Sequence, residues 1–201
     1  MESKEKNTKE KILEEALKLF AQSGYMGTSM NDIASKLGVT KAALYKHYKS
    51  KQEILDSIIE KMNELDIERV KLYEMPEGDL EKVTAEYKET AFDKIKQFTK
   101  VQFLHWTEEE FSSCFRKMMT LEQYREPQMA QLYQNYLASG PLAYMEALFS
   151  GMLGDAEKAR QTALDFYGPI FLLYSIYDGA EDKSHVIKLL EEHMDHFCLL
   201  Y

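Results

Sequence analysis

The sequence predicts an all-α chain, with a small helix-turn-helix domain at its start and a larger helical bundle behind it. Three observations carry that expectation. Apolar residues recur at helical spacing through most of the 201 residues, and no run alternates as a half-buried strand would. Nine Gly and four Pro are few for this length, so they punctuate helices instead of filling loops. Charge is also divided unevenly. Residues 1–51 hold ten Lys against six acids, a net of +4, while the remainder holds 15 basic and 28 acidic residues, a net of −13. We place the domain boundary at that change, giving 1–51 and 52–201, the second long enough for its own core.

The first helix is expected to start at Asn7, with Glu10 reaching back to it, and to bury Ile12, Leu13, Ala16, Leu17 and Phe20. Gly24 and Gly27 end it. Ser29 with Asp32 three residues on is a capping signature for a second helix whose inner face is Met30, Ile33, Ala34 and Leu37. Gly38-Val39 makes a tight turn. Thr40 caps the third helix, in which Leu44 and Tyr48 point inward, and Ser50 with Glu53 opens a fourth that runs to about Tyr73.

Two short helices about a glycine turn are the layout that carries one helix into the DNA major groove. Within TSMNDIASKLGVTKAALYKHYKSK, Thr40, Lys41, Ala42, Tyr45 and Lys46 are the candidate groove-facing residues, with Ala42 and Ala43 keeping the front of the helix thin. Backbone amides at the starts of the helices capped by Ser29 and Ser50 suit phosphates, aided by the helix dipole. Thr28, Ser29, His47 and Lys51 complete the candidate DNA-binding set. Because Arg is absent from residues 1–51, bidentate reading of guanine is not open to this domain, and methyl and Lys contacts favour an A·T-rich site.

Three stretches, ILEEALKLFAQSGY, TSMNDIASKLGVTKAALY and HYKSKQEIL, occur in order with correct spacing, and residues 10–55 thereby resemble the DNA-binding domain of TetR/AcrR transcriptional regulators. The resemblance covers roughly the first quarter of the chain. It implies a repressor that binds a palindromic operator as a homodimer and is released by a small molecule. It also implies that Lys51 anchors the DNA backbone and that the last helix pair joins its twin in a four-helix interface.

The remainder reads as helices broken at Met75–Asp79, Glu126-Pro127, Gly151–Gly154 and Asp178–Ala180. One long piece is expected from Asp79 to Trp106, then a helix from about Glu108 to Gln123. Pro127 opens another, kinked at Gly140-Pro141, and two more run from about Ala156 to Tyr177, with a kink near Gly168-Pro169, and from Ser184 to Leu200. In the last two, Phe166, Ile170, Tyr174, Ile187, Leu190, Met194 and Phe197 form apolar faces that suit a dimer interface or an ordinary intrachain core. Phe103, His105, Trp106, Phe115, Arg116, Met119 and Tyr133 are candidate effector-binding residues, and an aromatic and Met-rich set of this kind equally suits plain core.

Other chemistries find little support. Cys114 and Cys198 show no metal or disulfide pattern, His193 and His196 with Asp195 read as surface residues, and no phosphate loop or nucleophile motif occurs. We expect no cofactor, no metal and no enzyme activity. The charged N-terminus and the absence of a long apolar run point to a cytoplasmic protein that enters no membrane. The partners are double-stranded DNA, a second copy of the chain and a small apolar or aromatic effector. The alternatives are a helical protein-interaction scaffold and a regulator of the same kind that activates without a ligand.

Overall fold

The computed structural model describes residues 2–200, with side chains from residue 7. The described residues form eleven α-helices and no strand: α1 (Glu2–Ser23), α2 (Met30–Lys36), α3 (Lys41–Tyr45), α4 (Lys51–Leu72), α5 (Leu80–Glu89), α6 (Phe92–Thr107), α7 (Glu110–Glu122), α8 (Pro127–Leu137), α9 (Ser139–Leu153), α10 (Ala156–Gly179) and α11 (Lys183–Leu200). They divide into two compact units, residues 1–69 with 110–132, and residues 70–109 with 133–201. The first unit thus takes in α7 and the start of α8, which lie far along the chain from the helix-turn-helix.

The interior of the first unit combines Ile12, Ala16, Leu17 and Phe20 of α1 with Ile33, Leu44 and the α4 stripe Ile54, Leu55, Ile58 and Met62. Helix α7 packs against α1 and adds Phe115, Met118 and Met119, all fully buried. Lys18 pairs with Glu110 at 3.0 Å, and Lys61 lies 4.6 Å from the Phe111 ring centroid, so the rim of the same unit is tied as well. The first helix begins at Glu2, before the expected start, leaving Asn7 inside it and exposed, not capping.

In the second unit the expected long helix divides at Thr90, which turns to extended geometry (ψ 126°). Its hydroxyl donates to the Glu86 carbonyl at 2.8 Å and its amide to Tyr87, so the last turn of α5 is closed locally. The kink expected at Gly140-Pro141 is instead a break at Ala138. Pro141 then sits in the first turn of α9, where its missing N–H has no helical acceptor to lose. Helix α10, in contrast, continues through Pro169.

The residues expected at a dimer interface or in an ordinary intrachain core are mostly covered within one chain. Phe166, Ile170, Tyr174, Leu190, Met194 and Phe197 are all at most 7% exposed within one protomer, and Ile187 is half-buried. The six buried ones pack within the chain, as the core alternative requires. Phe149, Phe166 and Phe197 cluster with ring centroids 5.1–6.0 Å apart, and His193 Nε2 lies 2.9 Å from the Phe166 carbonyl oxygen. What α10 leaves outside is a different stripe: Leu164, Phe171, Leu172 and Ile176, the last two 59% and 40% exposed.

Candidate nucleic-acid interface

Local hydrogen bonds set each piece of the helix-turn-helix. Ser29 and Asp32 close a reciprocal capping box: the Asp32 amide donates to Ser29 Oγ at 3.2 Å, and the Ser29 amide and hydroxyl donate to Asp32 Oδ2 at 2.8 and 2.6 Å. Those bonds hold the Asp32 carboxyl below its ordinary pKa. Helix α2 ends in a turn in which Val39 donates to the Ala34 carbonyl at 3.0 Å and Gly38 adopts φ +67°, a left-handed backbone that glycine tolerates best. Thr40 then caps α3, its Oγ1 accepting from the Ala43 amide at 3.2 Å.

The result is a five-residue helix with one buried anchor. Leu44 is fully buried and Tyr48, just beyond the helix, is 4% exposed. Thr40, Lys41, Ala42, Tyr45 and Lys46 are exposed. Lys41 Nζ lies 5.8 Å from the Tyr45 ring centroid, so the cation and the ring are presented together. A helix this short, with methyl, hydroxyl, ammonium and phenol groups outward, has the dimensions and chemistry for base edges and phosphates alike.

Four further residues of the expected set occupy different positions. The Ser29 side chain is exposed and held by Asp32. Thr28 is 3% exposed and donates its hydroxyl to the Gly24 carbonyl at 2.9 Å, so it braces the loop from within. His47 is half-buried, with Nδ1 enclosed and lacking a hydrogen-bond partner. Lys51, expected as a backbone anchor, turns inward: its ammonium donates to the Tyr25 and Thr28 carbonyls at 2.5 and 2.8 Å and lies 4.3 Å from the Tyr25 ring centroid. Burial pushes its pKa below the ordinary lysine value, against the opposing pull of Glu122. Sequence reasoning correctly placed Lys51 at the first position of its helix but could not see the loop carbonyls it would find.

Other contributors were missed. Tyr25 donates its hydroxyl to Gln52 at 3.1 Å and packs edge-on against Phe20, so it joins α1 to α4. Glu53 accepts from the Lys49 amide at 2.6 Å instead of from Ser50, while Ser50 Oγ accepts from the Glu53 amide at 3.1 Å. The spacing signals the box but not which amide closes it.

The candidate effector residues are divided between the units. Phe115, Arg116 and Met119 are buried on α7 in the first. In the second, Phe103 stacks on Tyr174 with centroids 5.2 Å apart, His105 and Tyr136 both meet Trp106 edge-on, and Tyr133 is half-buried. His105 Nδ1 lies 2.8 Å from Glu109 Oε2. Burial pushes the Tyr167 hydroxyl strongly upward, and it donates to the Leu137 carbonyl at 2.8 Å. Among the described residues no His, Cys, Asp and Glu cluster is arranged to hold a metal ion, and no helix is long and apolar enough to cross a membrane.

Comparison with known proteins agrees with this geometry. Residues 12–58 match the family described as bacterial regulatory proteins, tetR family. The chain is similar to the negative transcriptional regulator IcaR of a biofilm operon in Staphylococcus epidermidis, 42% identical over 52 residues, which is 26% of this chain and 28% of that protein. Its counterpart in Staphylococcus aureus is 41% identical over 51 residues, 25% of this chain and 27% of that one. The chain therefore spans little more than a quarter of the length of these relatives. Solved structures extend the likeness in fold to nearly the whole chain. A transcriptional regulator from Aquifex aeolicus has a TM-score of 0.65 at 21% identity, covering 96% of this chain and 99% of its own. GusR from Salmonella enterica has a TM-score of 0.57 at 19% identity, covering 95% of each chain.

Proposed function

We propose that this chain, whose N-terminal domain is the DNA-binding domain of the TetR family, is a repressor that binds a palindromic operator as a homodimer and is released by a small apolar or aromatic effector. The observation that carries the reading is the outward face of α3, where Thr40, Lys41, Ala42, Tyr45 and Lys46 stand exposed over a single buried Leu44. Lys41, Tyr45 and Lys46 contact bases and phosphates. Thr40 and Ala42 meet thymine methyl groups, and without Arg the preferred half-site is A·T-rich.

Dimerisation belongs to the exposed stripe of α10. Leu164, Phe171, Leu172 and Ile176 lie outside, and a Cβ added at Gly168 or Gly179 would meet open space. A second copy laid along this stripe removes that apolar surface from water. The effector occupies the aromatic surroundings of Trp106, Tyr136 and Tyr133 in the second unit. The effector acts through helix α4, whose sequence runs from the helix-turn-helix to the first residues of the second unit. Weakening operator binding tenfold to a thousandfold requires about 1.4–4 kcal/mol of differential affinity.

Selection of bound duplexes from random DNA, followed by a salt titration, tests the reading. The expected result is an A·T-rich palindrome whose affinity falls with salt at about −0.9 in log–log slope per neutralised phosphate. Retention that is independent of sequence, or no retention, refutes it.

A further inference from the structure

Glu122 stands on the last turn of α7 with its side chain wholly buried. Its Oε1 accepts from Arg125 at 3.2 Å, yet that guanidinium is 62% exposed and screened by water. Oε2 is enclosed with no hydrogen-bond partner. A buried carboxylate with one oxygen unused is unfavourable by the measure of packing alone. Its placement becomes intelligible from what it touches.

Gly24 ends α1 with φ +81°, and a Cβ built there would stand 1.9 Å from Glu122 Oε1. The carboxylate thus fills the space a side chain at residue 24 would need, and it bears directly on the turn between α1 and α2. The same turn is held by Lys51. Gly24 receives the Thr28 hydroxyl, and Lys51 donates to the Tyr25 and Thr28 carbonyls. Thr28 is followed at once by Ser29, the cap of α2, from which the Gly38 turn and α3 follow. One buried carboxyl group and the half-buried Lys51 ammonium therefore bear on a single five-residue turn, and that turn sets the starting point of α2 and α3.

We propose that Glu122 is a positioning residue for DNA binding: from α7 its carboxyl group fixes the turn from Gly24 to Thr28 that Lys51 also clamps. This rests on the operator-binding reading above. The helix-turn-helix is then aimed by a side chain outside the sequence motif, and anything that draws α7 away from Gly24 releases the clamp.

The test uses the full chain with Glu122→Gln and Glu122→Asp, read two ways. Glu122→Gln keeps the shape and removes the charge. It should weaken binding to a duplex recovered by the selection about tenfold. In the same variant, amide hydrogen exchange at residues 24–30 of the DNA-free protein should accelerate while α10 and α11 are unchanged. Glu122→Asp retains the charge and should recover most of the affinity. Affinity equal to wild type in the Gln variant overturns the proposal, as does unchanged exchange at 24–30. If Gln at this position prevents folding, Lys51→Met must show the same paired loss, and normal behaviour there overturns the proposal equally. A wild-type protein that retains no duplex removes the operator reading and with it the DNA-binding role of Glu122, while the exchange result still reports whether the turn is held this way.

Discussion

The two compact units turn opposite kinds of surface to the outside. In the first, the exposed helix α3 carries small and polar groups about Tyr45, itself 41% exposed. In the second, α10 keeps Leu172 and Ile176 in contact with water while its tyrosines are drawn into the interior, the Tyr177 hydroxyl pushed up to about 12 by burial and by its bond to Glu108. On the proposed function, the first surface meets a polyanion and must stay hydrated until contact, whereas the second meets its own copy and gains by shedding water. The contrast also extends to construction. In the first unit the short helices α2 and α3 are set by side-chain caps, while in the second aromatic packing joins α9, α10 and α11.

The comparison is most sharply tested by placing a charge on the exposed stripe. Leu172→Glu with Ile176→Glu should yield monomers in analytical ultracentrifugation and lower operator affinity by about two to four orders of magnitude, because the two readers are no longer linked. Dimers that persist would mean that the stripe faces something other than its twin. Leu44→Ala removes the one anchor of α3 and should cost about 2–5 kcal/mol in thermal unfolding, a large share of the stability of a small unit. A loss confined to tenths would show that α3 is held by its caps alone. The smallest effect is acidic. The Asp32 carboxyl is held below its unfolded value of about 3.9, so its contribution is complete above that value and is lost as pH falls through the lower folded one. An NMR titration of the Ser29 amide should show this step, and Asp32→Asn should lack it.

Most of the first unit was legible in the sequence because its rules are local. Ser29 with Asp32, Gly38 and Thr40 each act on amides within five residues, and the spacing of Ile33, Ala34 and Leu44 names the inner face. The family resemblance read from three stretches agrees with the match to residues 12–58. Lys51 was placed correctly on its helix but assigned to phosphate. In this structure its ammonium donates to the carbonyls of Tyr25 and Thr28, and no spacing rule reports a loop that folds back. The second unit was legible in its helical character and in the ends of its last two helices, but not in helix number or in which faces meet. Phe166, Leu190 and Phe197 look like a dimer stripe by periodicity, and only three-dimensional packing shows them covered within the protomer. Thr90 divided a helix by a side-chain bond to Glu86 that competes with helix continuation and has no strong sequence marker.

The membership of α7 in the first unit sets a limit on how this protein can be taken apart. Excising residues 1–69 would strip Phe115, Met118 and Met119 from the α1 surface they cover and leave a fragment with an open apolar flank. The reading head is therefore not a detachable cassette. A hybrid that kept this packing would have to exchange two separate stretches, 1–69 and 110–132, in one transplant.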